Sequence, residues 1–180
     1  MSQQNCICGQ PLESGSLDGP RTAWTHEFVL QNDVVAIRDL VATVQSKIEV
    51  LKLTQREIDG VGIAVEEAVV NAIHYGNLEL SSDQRHCTQH SFDDRVAERI
   101  KEKPFCDRRV KVYVQICQHV AVIRVCDEGP GFCVADLADP LALENLERPG
   151  GRGIMLMREL MDDVTFNSNG NEVCLVKRSR

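Results

Sequence analysis

The sequence predicts an α/β fold: a two-layer sandwich of a mixed, largely antiparallel sheet with helices on one face. Three observations support it. Apolar residues alternate between period-two and 3.6-period patterns in the order β-α-α-(insertion)-β-β-α-β-β. Two pairs of strand-like runs are each joined by a short turn, the signature of antiparallel hairpins. The long helical stretches carry apolar stripes, suited to covering one side of a sheet.

Taken in order, residues 1–21 are rich in Gly, Ser, Gln and Pro, with little to bury, and are expected to form a disordered tail ahead of one domain spanning 22–180. "AWTHEFVL" (Ala23–Leu30) reads as a strand with Trp24, His26, Phe28 and Leu30 on alternating positions. Asn32 or Asp33 is placed to cap a helix whose stripe is Val34, Ile37, Leu40, Val41, Val44 and Ile48. Thr54 and Glu57 have capping-box spacing at the head of a second helix. Its stripe runs through Ile58, Val61, Ala64 or Val65, Ala68 and Ala72, and Gly76 is the expected stop.

From about 78 to 109 the chain turns polar, with one short helical stretch, "DDRVAERIKE", and reads as an insertion. "RRVKVYVQIC" and "HVAVIRVC" then form a hairpin turning near Gln118 and His119. A Pro- and Asp-rich loop from Val134 to Gly150 precedes the helical "RGIMLMRELMDD", and "VTFNSNGNEVCLVKR" closes the chain as a hairpin around Asn169 and Gly170. There is no internal repeat.

Composition narrows the function. The chain is 43% hydrophobic and 26% charged over 180 residues, enough for one cored domain. A net charge of −7 with no basic stripe argues against nucleic acid as partner. No apolar run approaches a membrane span and the start has no secretory pattern, so the expected location is cytoplasmic. In that reducing compartment the eight cysteines are expected to stay free. Cys6 with Cys8, and His86 with Cys87 and His90, lack a second pair at zinc-site spacing and read as tail and polar loop.

Three stretches hold polar residues that local structure does not require. Glu67 and Asn71 are four apart, hence stacked on one face of an otherwise apolar helical segment, "EAVVNAI". Asp127 ends an apolar strand and opens "DEGPGF", where Gly129 and Gly131 leave room at the backbone, and its carboxylate suits an exocyclic amine such as that of adenine. Gly151 and Gly153 feed a helix N-terminus, whose free N–H groups and positive dipole end favour phosphate, and Arg152 adds a cation. The stretch lacks a Walker Lys-Ser/Thr and does not follow a strand directly, unlike a dinucleotide-binding turn. Each signal alone is weak; a solvated helix face and an ordinary turn are the plain readings of the first two.

Their order carries the weight. Helical Glu-x-x-x-Asn, then Asp-x-Gly-x-Gly after a strand, then Gly-x-Gly opening a helix resembles the N, G1 and G2 boxes of the GHKL superfamily, the Bergerat ATP-binding fold of gyrase, Hsp90, histidine kinases and MutL. Within it, "EEAVVNAIHYGN", "VCDEGPGF" and "GGRGIMLMRELMDDVTF" resemble the RsbW-like anti-sigma-factor serine kinases. The resemblance implies ATP and Mg²⁺ as cofactors. It implies Glu67 as general base, Asn71 as magnesium ligand and Asp127 as the adenine-reading carboxylate. Gly129 and Gly131 would shape the adenine pocket, Gly151 and Gly153 would lie near the phosphates, and the 134–150 loop would be the lid. His74 stands one place earlier than the family's histidine, with Tyr75 in its place, so no role is carried to it.

The implied function is a bacterial partner-switching kinase that phosphorylates a serine on a STAS-type antagonist and regulates a sigma factor, with homodimerisation expected from the family alone. Two alternatives stand beside it. One is a nucleotide-dependent binding module without kinase activity. The other, a histidine-kinase catalytic domain, would need His26 as phospho-acceptor, yet His26 sits in a strand pattern.

Overall fold

The computed structural model describes residues 22–80, 92–134 and 151–179. In chain order the elements are β1 (Thr22–Leu30), α1 (Val35–Ile48), α2 (Gln55–Asn71), α3 (Phe92–Arg99), β2 (Val110–Cys117), β3 (Val120–Cys126), α4 (Gly151–Leu160), β4 (Asp163–Phe166) and β5 (Glu172–Arg178). The tail, the lid loop beyond Val134, and the Cys6/Cys8 and His86/Cys87/His90 groups lie outside the described residues.

The strands form one sheet in the order β1-β2-β3-β5-β4, and each of its pairings is antiparallel. The largely antiparallel sheet expected from the two hairpins is thus present, with no parallel pair among the described residues. Register aligns the apolar positions into rows. Phe28, Val112, Val125, Val173 and Phe166 face one another strand by strand, as do His26, Val114, Ile123, Leu175 and Val164. Strand pleating sends both rows to one side. There Val112, Val125, Ile123 and Leu175 are buried beneath α1 and α2. The other side carries Lys111, Tyr113, Gln115, Arg124 and Glu172, each half-buried.

Helix α2 is the central helix, with α1 on one flank and α4 on the other. It begins as the sequence predicts. The Thr54 hydroxyl accepts a hydrogen bond from Glu57 N, and the Glu57 carboxylate accepts one from Thr54 N at 2.9 Å. Two glycines inside the helix, each costing about 1 kcal/mol of helix propensity relative to alanine, are explained by packing. A methyl group on Gly60 would lie 3.1 Å from Leu160 Cδ2, and one on Gly62 would lie 2.5 Å from Gln45 Nε2. Both flanking helices therefore approach α2 closely.

Two expectations about helix ends change. Asn32 does not cap α1: it is buried and donates to Phe105 O at 2.7 Å. Asp33 Oδ1 instead accepts from Val35 N at 2.9 Å, while Val34 precedes the helix and is exposed. Nor does Gly76 stop α2. The helix widens after Asn71 into a π turn over Ala72–Asn77, and Leu78 N bonds five residues back to Ile73 O at 2.9 Å. Such π turns recur at functional sites because they re-aim the residues that follow.

At its far end α4 is closed by a buried lysine. Lys177 Nζ donates to Leu160 O at 3.1 Å and pairs with Asp162 at 3.4 Å, placing a cation at the negative end of the helix dipole. No described helix is long and apolar enough to cross a membrane.

Leu175 is fully buried at the middle of the sheet. Leu175→Ala is expected to lower the unfolding free energy by about 2–5 kcal/mol, and loss of the cap in Thr54→Ala by about 1 kcal/mol. Urea unfolding should show both as a lowered midpoint with an unchanged slope.

Candidate functional site

The site is built where α2 ends and where β3 and α4 meet it. Glu67 and Asn71 stand one turn apart on α2, both half-buried, while Glu66 beside them is exposed. The first turn of α4 comes down directly on this pair. A methyl group on Gly153 would lie 2.6 Å from Glu67 Oε2, 3.0 Å from Asn71 Nδ2 and 3.6 Å from Asn71 Oδ1. Gly60 meets Leu160 while Glu67 meets Gly153, so the helices run antiparallel and the N-terminus of α4 arrives at the carboxylate. A side chain there would have to displace the ends of Glu67 and Asn71. Gly151 begins α4, and Arg152 is exposed beside it.

The second cluster lies just beyond, where the π turn meets the end of β3. Asp127 is buried, and its carboxylate packs against the bare Cα of Gly76, so that a methyl group on Gly76 would lie 2.5 Å from Asp127 Oδ1. Gly129 packs against the backbone of Gly76 in turn. Gly131 adopts φ +72° with its Cα against Asn169 O, and Gly170 adopts φ +71° against Phe132. Thus Gly129 and Gly131 admit protein backbone at this end of the sheet, which draws the turn after β3 down onto α2 and onto the β4–β5 hairpin tip. Phe132 and Phe166 close that junction edge to face at 5.3 Å.

The start of the turn is held by a run of hydrogen bonds. Asp127 N donates to Asn171 O at 3.0 Å, Glu128 N to Asn77 Oδ1 at 2.8 Å, and Gly129 N to Asp127 Oδ1 at 2.8 Å. Asn171 Nδ2 donates back to Asp127 O at 3.2 Å. Burial pushes the Asp127 carboxyl up to about 6, opposed by the Gly129 N–H, the Arg108 charge and its own backbone N–H. A buried carboxyl raised by desolvation beside a charged partner makes Asp127 a candidate functional residue.

Sequence reading singled out Glu67, Asn71, Asp127, Gly129, Gly131, Gly151, Arg152 and Gly153. The structure brings Glu67, Asn71 and Gly153 into one cluster and Asp127, Gly129 and Gly131 into a second, with Gly151 at the start of α4 and Arg152 exposed beside it. It missed the residues that hold them: Asn32, Asn77, Arg108, Asn167 and Asn171. Asn77 was legible in part, as an amide between Gly76 and the apolar Leu78, a context in which a polar side chain needs internal partners. Burial pushes the thiols of Cys126 and Cys174 up, away from the reactive thiolate form. No cluster of metal-ligating side chains occurs among the described residues.

Comparison with known proteins agrees with this geometry. Residues 30–177 match the histidine kinase-like ATPase domain, an ATP-binding class. The chain is also 32% identical over 130 residues to an anti-sigma F factor from Bacillus velezensis, an alignment covering 71% of each protein. The chain therefore belongs to the histidine kinase-like ATPase family, on its RsbW-like, anti-sigma-factor branch.

The raised Asp127 pKa makes a signed prediction. The folded state holds this proton more tightly than the unfolded chain, whose ordinary value is 3.8. Its contribution to stability is therefore present below about pH 4 and lost as pH rises through about 6. Asp127→Asn keeps the acceptor for Gly129 N–H and removes the buried charge. It should melt above the parent at pH 7.5, with the gap closing towards pH 4. A gap independent of pH would contradict the assignment.

Proposed function

We propose that the protein is an ATP-dependent serine kinase of a partner-switching system, acting in the cytoplasm on a STAS-type antagonist and regulating a sigma factor. What chiefly supports this is the meeting of Glu67, Asn71 and Gly153. A carboxylate and an amide, held side by side, face the N-terminus of a helix that offers unbonded N–H groups to phosphate. The family and the anti-sigma F factor relative support the same reading.

Each part then has a task. Asp127, once ionised, accepts a hydrogen bond from the adenine amine, and its packing on Gly76 holds the carboxylate in place. Gly151 and Gly153 present backbone N–H groups to the phosphates, and Arg152 offers them a mobile cation. The donor set suits Mg²⁺, because Asn71 supplies a neutral oxygen at the phosphate end; when bound, the ion would neutralise phosphate charge. Glu67 takes the proton from the attacking serine hydroxyl as its oxygen forms the new bond to phosphorus and ADP leaves. The 134–150 segment, between the Asp127 turn and α4, is proposed as the lid. We also assign 1–21 as a tail and 78–109 as an insertion into the domain.

A histidine-kinase reading is disfavoured because His26 lies in β1, stacked on Trp24 at 5.5 Å, and not on a dimerising helix. The kinase reading is tested with γ-labelled ATP, Mg²⁺ and a STAS-type antagonist. Label should appear on an antagonist serine and fall by about a hundredfold or more in Glu67→Ala, with ATP binding retained. ATP binding without any transfer would favour a nucleotide-dependent binding module. Gly153→Ala should lose transfer while keeping its melting temperature within a few degrees, because its methyl group displaces Glu67 and Asn71 and not the core.

A further inference from the structure

Asn77 is fully buried, and its side-chain oxygen, side-chain nitrogen and backbone carbonyl are each engaged. Its Oδ1 accepts from Glu128 N at 2.8 Å, inside the turn that carries Asp127. Its Nδ2 donates to Asn32 Oδ1 at 2.8 Å, and its backbone carbonyl accepts from Arg108 Nη1 at 2.8 Å. Asn32 passes the link on, donating to Phe105 O at 2.7 Å. Phe105 is itself held between two guanidinium groups, Arg99 at 4.1 Å and Arg108 at 5.2 Å from its ring centre. Arg108 also pairs with Glu79 at 2.7 Å. Glu128 returns to the same segment, its Oε2 accepting from Arg109 N at 2.9 Å.

The Phe105–Arg109 segment is thus joined to the turn that carries Asp127 directly at Arg109 N and indirectly through Asn32 and the Arg108 side chain, and Asn77 is the junction of the indirect links. Without the Asn77 acceptor, Glu128 N would lose its partner, and the peptide between Asp127 and Glu128 would be held only at its carbonyl, by Asn171 Nδ2. That peptide sets the direction in which the Asp127 side chain leaves the backbone. We infer that Asn77 is a positioning residue for the adenine end of the nucleotide site, and that through Asn32 and Arg108 it makes nucleotide affinity depend on the placement of Phe105–Arg109. This rests on reading Asp127 as the adenine-contacting residue.

The test measures binding of ATP with Mg²⁺ by titration calorimetry at pH 8, with a melting curve for each variant. Asn77→Ala should weaken ATP by about tenfold, the effect of one lost buried hydrogen bond. Asn77→Asp, which keeps an acceptor for Glu128 N, should recover most of that loss. Asn32→Ala and Arg108→Gln lie a step further out and should each weaken ATP by about threefold. In all of them the number of sites per chain stays at one. A merely structural role would instead lower the melting temperature or the number of competent sites and leave the affinity of the folded fraction unchanged. If Asn77→Ala does not fold, Asn32→Ala and Arg108→Gln decide the matter. Parental affinity in the folded variants, with ATP binding abolished in Asp127→Asn, would overturn the inference. Full ATP binding by Asp127→Asn would overturn the adenine reading instead.

Discussion

A single steric fit ties the domain together: the carboxylate of Asp127 lies against the Cα of Gly76, where β3 ends and the π turn of α2 passes beneath it. No other residue type allows this approach, since the space a Cβ would occupy is already filled by the carboxylate. The consequences spread outward. Gly129 must also lack a side chain because it lies on the Gly76 backbone, and Gly131 takes a left-handed conformation to clear Asn169. The end of the sheet, the end of α2 and the tip of the last hairpin are locked into one corner. That corner lies next to the other polar cluster because Asn71 immediately precedes the π turn that contains Gly76.

Such a corner opposes stability in one respect. A carboxyl pushed up to about 6 by burial carries charge near neutral pH at a cost to the fold. The rest of the turn compensates through saturation of its hydrogen bonds: three successive N–H groups, from Asp127 to Gly129, each have a defined acceptor. A partly bonded buried network would be worse than an apolar one, so the amides of Asn77 and Asn171 are as much part of the corner as the carboxylate. The fold keeps a destabilising group there and surrounds it with donors, which is the arrangement expected where function and stability compete.

The fold was largely legible from sequence because its signals are local and periodic. The hairpin around Asn169 and Gly170, the Thr54/Glu57 capping box and the alternation along β2 each follow from a few neighbouring residues. The site residues were legible for a different reason: Glu67, Asn71 and Asp127 are polar where the surrounding pattern is apolar. What escaped is set by distant partners. Asn32 looks like a helix cap because asparagine before a helix usually is one. Its actual acceptor, Phe105 O, lies 73 residues away. Gly76 looks like a helix stop because glycine after an apolar stripe usually is one. Its reason for being glycine is Asp127, which no window of sequence around it contains. Short-range rules assign such residues to short-range tasks, and tertiary contact reassigns them.

The same logic applies to the proposed phosphate end, which two helices, and not a loop alone, would define. Gly60 lets α4 sink against α2 near one end, and Gly153 does so at the other, so the two axes are held close over the whole shared length. Lys177 anchors the C-terminus of α4 to β5. The N-terminus of α4 is therefore delivered to Glu67 by a rigid element. The Asp127 corner and the Glu67–Asn71 pair, the two poles of the proposed site, are therefore held in place relative to each other by packed elements, which keeps the entropic cost of ordering them out of ligand binding.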